Sequence, residues 1–129
     1  MNQRWKISLM ASFCIALLTC AAWSNGANTA DDEKKPKHTI KEVMKVALKG
    51  DLQKKVLSGN ASDEDKKKLL DMYISMVESK PPKGQMNSWH NLAGAAALAA
   101  AKVVVGREGA AEELKTATNC KACHSEHKP

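Results

Sequence analysis

At 129 residues the chain has room for one domain and no more. Its apolar content is dominated by Ala and Leu, with one Phe and one Tyr, which suits close helical packing and counts against a β-sandwich. The formal charge of +6 comes mainly from dispersed lysines, with no Arg run and no interleaved aromatics, which counts against nucleic-acid binding.

The first element in chain order is a leader. Arg4 and Lys6 precede a weakly polar to apolar stretch from Ile7 to Leu18, and small and polar residues follow as far as Asp31. This is the layout of a secretory signal peptide, assigned to residues 1–26. A membrane-spanning helix needs roughly 20 apolar residues, so the stretch is too short for one. Ser24, Gly26 and Ala30 are all small enough to precede the cleavage point. A lipidated Cys20 is the rival reading, weakened by Thr19, since Gly or Ala is usual before such a cysteine. The expected product is exported, to a periplasm or beyond.

Cleavage changes the cysteine arithmetic. Cys14 and Cys20 leave with the leader, and Cys120 and Cys123 remain. An exported protein normally pairs two cysteines. With only two residues between them, such a bridge is a redox device rather than a staple, so the pair is expected to do chemistry or to hold a cofactor. Losing Arg4 and Lys6 leaves 18 basic against 14 acidic residues, a charge of +4.

Residues 27–38, ANTADDEKKPKH, are polar, charged and broken by Pro36, and read as a flexible arm. Four helices are predicted over residues 39–129. Thr39 and Glu42 form a capping box, after which Ile40, Val43, Met44 and Ala47 share one helical face. Gly50 ends or bends this helix, and Asp51 caps a short continuation. The second long helix starts at Ser62, with Asp63, Glu64 and Asp65 favoured by the helix dipole. Pro81 and Pro82 stop it. The third runs from about Ser88, capped by Asn87 or Ser88, to Val105, and is nearly all small or apolar, so it should be buried on most sides. The fourth runs unbroken from Ala110 to about His127. The expected fold is therefore all-α, an antiparallel four-helix bundle with short loops. Its core of Ala, Leu, Val and Met is thin, and a bound apolar cofactor would fill the missing volume.

The last helix carries CKACH. Cys-x-x-Cys-His is the attachment signature of c-type haem: Cys120 and Cys123 lie about one helical turn apart, suiting two thioethers, and His124 follows as proximal iron ligand. The cofactor expected is one covalently bound haem c. Chance occurrence of the spacing aside, two other readings compete. Cys120, Cys123, His124 and His127 are good zinc ligands. On a continuous helix, however, the outer pair would lie about 10.5 Å apart along the axis. Tetrahedral zinc wants donors roughly 4 Å apart. A thiol redox site is the second alternative. Such motifs usually start a helix after a strand, whereas this one is expected at the end of a helix in a chain without strands.

NCKACHSEHK on the last helix, with IKEVMKVAL on the first, resembles the cytochrome c-prime family over nearly all of the mature chain. The resemblance implies a one-electron carrier whose iron cycles between Fe(III) and Fe(II). It also implies, for the low-spin branch, a first-helix Met as sixth iron ligand, at the position of Met44. High-spin members leave that position open and bind gases such as nitric oxide, which is the alternative function. The metal ligands expected are thus His124 and Met44, with Cys120 and Cys123 binding the cofactor. In a bland reading Met44 only packs in the core. No nucleophile or proton-transfer constellation is present, so an enzyme is not expected.

Met72, Met76 and Met86 read as core or loop, Trp89 as a core anchor that could also cover a haem edge, and His90 as a surface or capping residue. His38 falls in the arm, and His127 follows the motif too closely to reach the far side of a haem. Lys115, Lys121 and Lys128 could frame docking for an acidic redox partner. Dimerisation stays open.

Overall fold

The computed structural model describes residues 35–129. The expected leader, Cys14, Cys20 and residues 27–34 of the arm lie outside them. Every regular element among the described residues is helical, in the order α1 Ile40–Val43, continued by a π-helical turn Met44–Leu48, then α2 Leu52–Leu57, α3 Asp63–Glu78, α4 Met86–Val104, α5 Ala110–Ala117 and α6 Cys120–His127. None of them is long and apolar enough to cross a membrane.

The capping box at the start of α1 forms as expected. Thr39 Oγ1 accepts from the Glu42 backbone N–H (3.2 Å), and Glu42 Oε2 accepts from the Thr39 N–H (2.7 Å). The Thr39 N–H most of all, and then the Thr39 hydroxyl, which donates to the same Oε2 (2.8 Å), hold the Glu42 carboxyl below its usual range. The helix then widens. Lys49 N–H donates to Met44 O and Gly50 N–H to Lys45 O, both at 2.9 Å and both five residues back. A Cβ at Gly50 would collide with the carbonyl of Val46, so this exit from the turn requires glycine. The wide turn keeps Val43 and Ala47 fully buried, while Ile40, Met44 and Leu48, four residues apart, line a cavity.

Two predicted boundaries differ. The cap of α4 is Gln85, not Asn87 or Ser88, and its side chain makes no capping bond. The two residues that carry cap propensity sit inside the first turn instead, where Ser88 spends its hydroxyl on Glu126 (2.6 Å). The fourth predicted helix is interrupted. Thr118 Oγ1 bonds back to Leu114 O (2.7 Å), and Asn119 Oδ1 accepts from the N–H groups of Lys121 (3.0 Å) and Ala122 (3.2 Å). Both side chains offer the backbone local partners that compete with helix continuation, so α5 ends and α6 begins afresh at Cys120.

The last residues of the expected arm are also tied down. Lys37 Nζ lies 2.6 Å and His38 Nε2 3.1 Å from Asp71 Oδ2 on α3. The Lys37 bond is the main cause that holds the Asp71 carboxyl below its usual range.

The core forms where α3 packs on α4 and α4 on α5, with α1 and α2 laid against α3. Ala93, Ala96 and Ala100 are buried on α4. Their small side chains let neighbouring helices approach closely, and bulk comes from Tyr73, Leu69 and Leu114 around them. Trp89, only 2 % exposed, is the largest buried side chain, and its Nε1–H donates to Met76 O at the end of α3 (2.9 Å). Trp89→Phe keeps most of the volume and removes one of the two hydrogen bonds to that carbonyl, the other coming from the Ser79 N–H (3.1 Å). It should cost about 0.5–1.5 kcal/mol, and Trp89→Ala about 3–5 kcal/mol, by denaturant titration.

A candidate cofactor cavity with cysteine attachment points

One apolar cavity of about 480 Å³ lies among α1, α3, α4 and α6. This is the size of a small-molecule or cofactor pocket. Met44, Cys120, Cys123 and His124 all line it, and so do Trp89 and Tyr73. Residues from the first and last helices among the described residues therefore line one cavity. Cys120 and His124 are exposed, while Cys123 and Met44 are half-buried. An apolar interior with two thiols and an imidazole at its rim is the donor set that a covalently attached haem requires, so the residues present fit that group.

The other candidates sort differently. Met76 reaches the cavity from α3, Met72 is buried in the core, and Met86 is half-buried on α4. His90 is exposed and does not line the cavity. His127 is buried with its ring nitrogens facing Lys83 O (2.9 Å) and Ser88 Oγ (3.2 Å). Among the described residues no three His, Cys, Asp or Glu side chains gather so as to hold a metal ion. Of the four residues in the zinc alternative, His127 has its ring nitrogens on Lys83 and Ser88. The position of the motif is a correction in the opposite sense. Cys120 starts α6, so the helix-end objection to a thiol redox site falls, while the lack of a strand among the described residues stands.

The site has a support that the sequence did not announce. Tyr73 Oη donates to Gln53 Oε1, Gln53 Nε2 donates to Thr118 Oγ1 (2.8 Å), and Thr118 Oγ1 donates to Leu114 O. This one-way chain runs from α3 through α2 to the residue just before the Asn119 cap. Burial, and secondarily charge on Cys120, pushes the Tyr73 phenol well above its ordinary range, so it stays protonated and keeps donating. Of this support only Thr118 and Asn119 carry a local helix-start signal, which the expected helix from Ala110 to His127 passes over. Gln53 and Tyr73 are brought there by packing.

Burial also pushes the Cys123 thiol up, with smaller contributions from Cys120 and Glu126. A raised pKa leaves less thiolate at neutral pH. In a Cys120→Ser variant, alkylation of Cys123 should therefore set in at higher pH than alkylation of an exposed peptide thiol, measured by mass spectrometry across a pH series. No family model matches the chain, and neither a curated protein nor a solved structure is significantly similar to it.

Proposed function

We propose that this protein is an exported, periplasmic monohaem c-type cytochrome of c-prime-like architecture, a one-electron carrier rather than an enzyme. In this reading α1, α3, α4 and the α5–α6 pair act as the four members of a helical bundle. The observation that carries it is the convergence of Met44, Cys120, Cys123 and His124 on one apolar cavity. Cys120 and Cys123 would hold the haem through two thioethers, His124 would be the proximal ligand, and Met44 the sixth ligand. Haem, when bound, supplies an iron that alternates between Fe(III) and Fe(II).

The chain's own residues do the remaining work. The cavity's apolar walls exclude water, which tunes the potential of whatever they enclose. Met44 offers a neutral, soft sulfur, which together with His124 favours a higher potential, as an electron carrier needs. Lys121 and Lys128 are exposed, and Lys128 lies at the cavity rim. They supply positive charge for a transient interface with an acidic redox partner. Lys115 contributes less, being 3.6 Å from Glu112.

Two experiments test this. Exported protein, once denatured, should keep its colour and weigh one haem more than the mature chain, and Cys120→Ala or Cys123→Ala should leave a single linkage or none. Colourless protein of unmodified mass ends the haem reading. Separately, Met44→Ala should turn a low-spin absorption spectrum into a high-spin one and admit carbon monoxide. A wild type that is already high-spin assigns Met44 to packing and favours gas binding instead.

A further inference from the structure

The helix that carries the attachment motif is weakly held by everything except one residue. α6 has eight residues, and isolated helices shorter than about 12–15 residues are marginal in water. His127 is its only buried side chain, 3 % exposed, and Cys123 is half-buried. The rest of the helix is exposed.

His127 sits in a clamp built from two other segments. The carbonyl of Lys83 can only accept, so Nδ1, 2.9 Å away, carries a proton and donates to it. Nε2 is 3.2 Å from Ser88 Oγ, whose single hydroxyl proton goes to Glu126 Oε2 at 2.6 Å. This second contact is therefore a hydrogen bond only when Nε2 also carries a proton, and the Nδ1–Lys83 bond is the one that fixes the ring. The Trp89 ring meets the imidazole edge-on, with centroids 5.3 Å apart and planes at 79°. The loop between α3 and α4 is shaped to this contact. Gly84 has φ +86°, and a Cβ there would lie 2.5 Å from His127 Nδ1 and 3.0 Å from Glu126 O. No other residue type allows so close an approach at that φ.

We propose that His127 is the positioning residue of α6: its clamp on the Lys83 carbonyl and Ser88 sets where the helix lies, and so holds Cys120, Cys123 and His124 at the cavity mouth before any cofactor is attached. The clamp stands on its own geometry, while its functional consequence rests on the haem reading above. His127 lies three residues beyond His124, so a shift at this anchor is passed to the preceding turn, where a ligating ring needs a fixed orientation.

The test is hydrogen exchange of the α6 amides in the full chain with both thiols free. His127→Phe keeps a ring against Trp89 but loses both nitrogens, and should speed α6 exchange about tenfold with α3 and α4 unchanged. His127→Asn restores a donor near the Nδ1 position, and should return α6 to within about threefold of wild type. If wild-type α6 is unprotected, if Phe leaves it as protected as His, or if α3 and α4 loosen equally, the clamp is overturned. Should His127→Phe fail to fold, Gly84→Ala, His127→Ala and their double variant form a cycle in which the strain at Gly84 cancels. The clamp predicts a double effect smaller than the sum, and additivity refutes it. In haem-loaded protein, His127→Phe should also raise the singly linked fraction and alter the low-spin spectrum, with rescue by Asn. Wild type without haem defeats the proposed function, yet the exchange data still decide the clamp.

Discussion

The hydrogen bond from Trp89 to the carbonyl of Met76 is the contact on which most of this structure depends. It ties the first turns of α4 to the end of α3, adding a second donor to a carbonyl that the Ser79 N–H already reaches. The same indole forms one wall of the cavity and offers its ring to His127. One side chain therefore couples the main helix pair, the cavity and the helix that bears the cysteines. A residue of that size is affordable only because α4 is otherwise built from alanine and glycine near the core.

That economy explains the cavity. A chain whose buried surface is largely Ala, Leu, Val and Met packs its helix pairs closely, and where the pairs diverge it has too little side-chain volume to fill the gap. The gap is lined by apolar carbon, so it favours an apolar occupant over water. Two of the polar groups that line it are spoken for: Tyr73 donates to Gln53, and His127 faces Lys83 and Ser88. The half-buried thiol of Cys123 and the thioether of Met44 are soft groups that line the same cavity, and this lining stands beside the motif in support of the proposed function.

The two ends of α6 are secured by different means. At its start, Asn119 caps the helix while the Tyr73–Gln53–Thr118 chain steadies the preceding turn. At its finish, His127 reaches back to a loop that is adjacent only in space. Between them the motif residues are exposed or half-buried, open to chemistry yet held in place. The ion pairs of the surface contribute less, since Lys37 with Asp71 and Lys115 with Glu112 are all well exposed.

Local rules were enough to read the helical class, the Thr39–Glu42 capping box, the Ser62 cap, the proline stop after α3 and the Cys-x-x-Cys-His spacing, because each depends on residues within a turn of one another. The inward face of α1 was legible for the same reason, through the spacing of Ile40, Val43, Met44 and Ala47. The break at Thr118–Asn119 was encoded locally as well, in two side chains that bond their own backbone, but an apolar pattern running across it concealed the cap. What only the tertiary structure decided involves partners far apart in sequence. The widened turn after Met44, the use of Ser88 as a bridge instead of a cap, and the role of His127 are of this kind. Read along the chain, a histidine three residues after Cys-x-x-Cys-His offers only a donor for the zinc alternative. It becomes a structural anchor only when packing brings the Lys83 carbonyl, 44 residues away, within 2.9 Å of its ring.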